Sequence, residues 1–143
     1  MTITVQRASR AVHIPPDGRI RRWARAALAR NAEVTIRYVA RAEGRRLNRE
    51  YRGRDYATNV LTFVYEMRPL AGDVVICAPV VAREARAQGK EIVAHHAHLL
   101  VHGLLHLQGY EHEGSRTEAR RMESRERAIL GRLGFPDPYG EDR

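Results

Sequence analysis

The chain has 143 residues, 43% of them hydrophobic, which suits a single compact domain over 1–143 with a real core and is too short for two. It carries no run of about 18 apolar residues that could span a membrane, and its one cysteine, Cys77, excludes an internal disulfide and a thiolate-only metal site. The formal charge is +8, with 25 basic against 17 acidic residues and every basic residue but Lys90 an arginine, a balance that suits a polyanionic partner because positive surface gains affinity by releasing counterions from phosphates.

The N-terminus, MTITVQRASRAVHI, alternates like a strand over residues 2–6 and lacks the apolar core of a signal peptide, so the expected location is cytoplasmic. A helix is expected after Pro15-Pro16-Asp17, capped by Asp17 and running to Leu28 and Ala29. Residues 33–39 alternate as a half-buried strand, and 43–51 read as a short helix ending near Tyr51-Arg52. Val60 to Tyr65 and Asp73 to Cys77 read as strands separated by a loop, Glu66–Gly72, that contains Pro69. Ala78 to Gln88 reads as a helix stopped at Gly89, and another is expected from about Glu91 to Gln108. Ser115 and Glu118 have capping-box spacing and open a last helix to about Leu133. Its arginines (Arg116, Arg120, Arg121, Arg125, Arg127) alternate with Glu118, Glu123 and Glu126, which predicts a solvated, self-paired face. This order of elements predicts an α+β fold, a small mixed sheet of about four strands packed with about five helices.

The segment HGLLHLQGYEH, residues 102–112, carries the chemistry. His102 and His106, four apart, project from one face of a helix. Gly109 can reverse the chain and return His112 towards them. Three neutral nitrogens with an open fourth position make a catalytic rather than a structural zinc site, here at the end of a buried central helix. The same three histidines also accept nickel or copper. The spacing is that of the long zinc-protease motif, but Gly103 stands where a protease has its general-base glutamate. His95, His98, His102 and His106 share one stripe of the helix about 80° wide, at 100° per residue. Buried imidazoles need partners, and a metal with its supporting hydrogen bonds supplies them. His98, one turn before His102, is a candidate orienting or substrate-facing residue, with a satisfied core histidine as the alternative. His95 reads as a core histidine.

The 102–112 segment matches the pattern H-G-x-L-H-L-x-G-Y-[DE]-H of the bacterial YbeY family of endoribonucleases and rRNA maturation factors. LNREYRGRDYATNVLTF (Leu47–Phe63) resembles that family's L-N-x-x-Y-R-x-x-D-x-P-T-x-V-L-S-F block. GDVVICAPVVAREARAQGK (Gly72–Lys90) and the GFPDPY tail are also similar to it. Ala57 stands where proline is usual, Thr62 replaces serine, Glu111 replaces aspartate, and VYEM after Phe63 departs from the usual F-P-F-E. The resemblance implies a single-strand-specific, metal-dependent endoribonuclease acting in 16S rRNA 3′-end maturation and ribosome quality control. Its partners would be single-stranded RNA, rRNA, the small ribosomal subunit and its assembly factors. The family's essential arginine falls on Arg52, and its metal histidines fall on His102, His106 and His112.

A zinc held by three neutral histidines keeps its double positive charge, so it can polarise a phosphate oxygen or lower the pKa of a bound water to about 7. Arg52 would clamp the phosphate bidentately and stabilise the transition state. The competing role for Arg52 is a surface ion pair with Glu50 or Asp55. Metal-bound water alone, His98 or Glu111 as proton acceptor, and the RNA's 2′-hydroxyl all remain open as the source of the nucleophile. A second reading is a ribosome-assembly factor with a mainly structural metal and weak cleavage. A third, a zinc protease, is disfavoured by Gly103. Basic residues around Arg41–Arg54 flank Arg52 and are the better RNA candidates.

Overall fold

Alternation builds the sheet. In β2 (Ala32–Val39) the side chains of Val34, Ile36 and Tyr38 are buried, while Glu33 is exposed and Thr35 and Arg37 are half-buried between them. The computed structural model describes residues 1–110 and 114–140. Among these, four strands and five helices form the expected α+β fold. Besides β2 the elements are β1 (Thr2–Ala8), α1 (Asp17–Ala27), α2 (Arg41–Arg52), β3 (Val60–Met67), β4 (Leu70–Cys77), α3 (Ala78–Gln88), α4 (Ile92–Leu107) and α5 (Arg116–Arg132).

The sheet order is β1-β2-β4-β3, with β1, β2 and β4 parallel and β3 antiparallel to β4. Val34, Ile36, Val74 and Ile76 on one face meet Ile20 and Trp23 of α1, Leu100 and Leu104 of α4, and Ile129 of α5. The other face buries Leu61, Val75 and Cys77 against Leu47 of α2. Fully burying a leucine contributes about 2 kcal/mol, and α4 places Leu100, Leu104, Leu105 and Leu107 at 1% exposure or less. The histidine helix is thus the buried centre of the molecule, and its position is fixed by packing on the sheet.

Two expectations are corrected. Pro16, not Asp17, is the N-cap of α1, and no side chain caps that end. Asp17 instead accepts a 2.8 Å hydrogen bond from Arg7. The expected loop Glu66–Gly72 is a tight hairpin, because β3 runs on to Met67 and β4 begins at Leu70. Cross-strand pairing extends the ladder past the point where apolar alternation stops. At α5, Ser115 does cap the helix, accepting from the Glu118 backbone N–H at 3.1 Å.

Candidate metal and nuclease site

Gly103 explains why α4 lies so close to the sheet. A Cβ there would stand 3.0 Å from Val74 Cγ1 and 3.2 Å from Val60 Cγ2, so any side chain would push those methyls back by a few tenths of an ångström, and glycine lets the helix sit at this distance without that shift. The position that holds a base in proteases therefore faces β3 and β4. The neighbouring stripe faces a cleft of about 940 Å³. Its walls are His95, His98, His102 and His106 of α4, Val60 to Phe63 of β3, Tyr51 and Arg52 at the end of α2, and Tyr139 of the C-terminal segment.

The rings of His102 and His106 lie 4.7 Å apart between centroids. Gly109, at φ 99°, adopts the left-handed conformation that the turn after α4 requires. His112, the third expected ligand, lies outside the described residues, as does Glu111.

A carboxylate absent from the sequence reading of the site organises it. Glu126 of α5 is fully buried. Its Oε2 accepts from His98 Nε2 at 2.9 Å and from His102 Nδ1 at 3.0 Å, while its Oε1 accepts the Tyr139 hydroxyl. Burial would raise its pKa, but the hydrogen bonds from His102, His98 and Tyr139 outweigh burial and hold it down to about 2. An ionised carboxylate only accepts, so His102 donates from Nδ1 and its Nε2 carries the lone pair that a metal needs. The expectation that Glu126 belongs to a self-paired outer face is overturned. Met122, Ile129 and Leu130 are buried on the same side of α5, and a carboxylate at that spacing among apolar residues was the available signal.

His98, His102 and Glu126 place ligating atoms within 4.8 Å of one another and could hold a metal ion. Their 2.9–3.0 Å separations are those of hydrogen bonds, whereas nitrogen and oxygen ligands about 2.0–2.1 Å from a tetrahedral ion spread roughly 3.3 Å apart. His106, one turn on, sets its ring 4.7 Å from that of His102 between centroids. His98 has its Nε2 committed to Glu126 and its Nδ1 buried without a hydrogen-bond partner among the described residues. Burial, the largest cause, lowers its pKa despite Glu126. His95 is a core histidine, 4% exposed and 2.9 Å from Glu84, which also accepts from Asn59 at 3.1 Å. That chain ties the start of β3 to α3 and α4.

The α2 end is arranged differently. Asp55 is engaged by Arg45 at 2.8 Å and Arg49 at 3.6 Å, and Glu50 is 3.7 Å from Arg46. Among the described residues no carboxylate lies within ion-pair distance of Arg52, so its head remains available to the cleft.

The sequence profile of the family described as Endoribonuclease YbeY matches residues 11–134. The chain belongs to the YbeY family. An Endoribonuclease YbeY of Aromatoleum aromaticum is 59% identical, with 97% of this chain and 92% of that relative covered. Another, from Methylobacillus flagellatus, is 51% identical over all of this chain and 96% of its own length. The solution structure of TM1509 from Thermotoga maritima has a TM-score of 0.62 at 21% identity, covering 98% of this chain and all of that one, and supports the fold. Within the YbeY fold of this chain, the two described motif histidines and the arginine of the Y-R pair share one cleft. No helix among the described residues is long and apolar enough to cross a membrane.

Proposed function

We propose that the chain is a single-domain, cytoplasmic, zinc-dependent endoribonuclease that cleaves single-stranded RNA in 16S rRNA 3′-end maturation and ribosome quality control. The observation that carries this reading is the shared cleft. Arg52, without a carboxylate partner among the described residues, opens onto the same space as His102 and His106. The names of relatives at 51–59% identity support RNA as the substrate, and the +8 charge suits a polyanion.

His102, His106 and His112 would hold the zinc. When bound, it supplies a Lewis-acid centre beside the phosphodiester. Glu126 fixes the His102 ring and tautomer through Nδ1, so that Nε2 carries the lone pair for the metal. Arg52 donates two parallel N–H bonds to the phosphate oxygens, which gain negative charge as a fifth oxygen approaches phosphorus. Protein carboxylates would compete for that guanidinium, and none among the described residues is in range. His98 holds Glu126 through Oε2, stands edge-on to the Tyr139 ring that holds Oε1, and shapes the cleft wall, which makes it a positioning residue.

The test is cleavage of an end-labelled single-stranded RNA by metal-loaded wild type, His106→Ala and Arg52→Ala, with analysis of product ends. Arg52→Ala should lose about 10²–10³ in rate, as removal of one transition-state donor does, while keeping its metal. His106→Ala should lose both metal and cleavage. Equal cleavage by all three folded proteins would remove the nuclease reading and leave an RNA-binding assembly factor with a structural metal.

A further inference from the structure

An aromatic row leaves the cleft along β3, an edge strand of the sheet. Phe63 lies at the cleft, and the ring of Tyr51 stands edge-on to it at 5.2 Å between centroids. Two residues along, the ladder slips. Val64 pairs with Gly72 and Glu66 with Ala71, which leaves Tyr65 as the extra residue of a bulge. Bulges re-aim side chains beside functional sites. Here the Tyr65 hydroxyl donates to Asp73 Oδ2 at 2.5 Å, which anchors the ring at its far end. The Asp73 hydrogen bond first, then burial, pushes the Tyr65 phenol up to about 12.

Both rings are held, yet neither is covered. Tyr51 is 65% and Tyr65 69% exposed, so each leaves most of its surface open to a ligand. Arg52 follows Tyr51 directly and opens on the cleft. Phosphate-binding charge next to two fixed, exposed aromatic faces is the composition of single-strand nucleic-acid sites, where each base stacks on a ring and the backbone tracks the cations.

We propose that Tyr51 and Tyr65 form a stacking platform for unpaired bases of the RNA, adjoining the phosphate held at Arg52. The strand then runs from the histidine cleft outward along β3. This inference rests on the nuclease reading and adds to it a path for the strand and the rings that meet its bases. Duplex is rejected because its bases hide their faces in the stack, and base identity matters little because every base has a π face.

The test is fluorescence anisotropy of metal-loaded protein with labelled 2′-O-methyl oligouridylate, an abasic strand of equal length, and a duplex. Tyr51→Ala and Tyr65→Ala should each weaken oligouridylate binding about tenfold, the typical loss of one stacked base, and leave binding of the abasic strand unchanged. Tyr51→Phe should bind like wild type. Arg52→Ala should weaken both single strands, since it meets phosphate. Tyr51→Ala gives up the Phe63 contact and could loosen α2, but Tyr65 belongs to neither core cluster, so Tyr65→Ala tests the platform cleanly. If both alanine variants bind oligouridylate like wild type, the platform is wrong and the patch is left to a protein partner. If wild type binds no single strand, the RNA reading beneath it fails as well.

Discussion

Glu126 is the residue on which the site's order depends. Three donors converge on its two oxygens, and an isosteric amide serves them less well. In Glu126→Gln an amide N–H turned to the histidines meets donor against donor, while one turned to Tyr139 makes the phenol accept and leaves His98 and His102 a neutral, weaker acceptor. The His102 ring is then held less firmly in its tautomer. Metal affinity measured by chelator competition is expected to fall roughly 10–100-fold, the usual cost of losing the hydrogen-bond partner of a ligating histidine. Tyr139→Phe removes one of the three donors and leaves the His102 bond in place, so its loss should be smaller. Unchanged affinity in Glu126→Gln would mean that His102 binds metal without support from α5.

At the scale of elements, α4 faces two ways and glycine sets the division. Gly103→Glu restores the letters of the protease motif, yet its side chain would enter the contact with Val74, Val60 and Thr62. Burying an unpaired carboxylate there, on top of steric overlap, should cost about 4 kcal/mol or more. A large drop in the urea midpoint with no peptidase activity is the expected result. A stable, proteolytic variant would show that the helix can rotate its 103 face into the cleft. Much of this helix was legible in the sequence, because its evidence is local: the four-residue spacing of His102 and His106, the 80° stripe and the Gly109 turn all follow from helical geometry. Arg52 was legible only through the family resemblance, since nothing nearby distinguishes it from the arginines around it. Glu126 and Tyr139 were not, because their meaning depends on α5 and the C-terminal segment folding back on α4. Glu126 sits among arginines in sequence and among histidines in space. The bulge at Tyr65 was equally hidden, since register is decided between strands and leaves no mark within one.

At the scale of the whole molecule, buried histidines couple the fold to pH. His96 is fully buried, with Nε2 2.9 Å from His13 Nδ1. Burial first, then the neighbouring His13 and His95, lowers its pKa to about 3, and burial also lowers that of His13. An unfolded histidine titrates near pH 6.5. Between pH 6.5 and 3 the unfolded chain therefore binds more protons than the native one, and native stability falls as pH falls. For His96 the slope approaches about 1.4 kcal/mol per pH unit, or on the order of 4 kcal/mol over the window, a large part of the roughly 5–15 kcal/mol of a typical domain. Glu126 continues the loss at lower pH. Its stabilisation is complete above the unfolded value of about 4.5 and disappears as pH falls towards 2. A chain of net charge +8 also gains self-repulsion as its carboxylates are protonated, so acid lability alone would not identify the histidine. Comparison with His96→Phe does, because both proteins share the repulsion. With chelator present to exclude metal release, the wild-type urea midpoint should drop steeply from pH 6.5 to 4. The His96→Phe slope should be shallower by up to about 1.4 kcal/mol per pH unit. Parallel slopes would assign the acid sensitivity to the carboxylates and the overall charge.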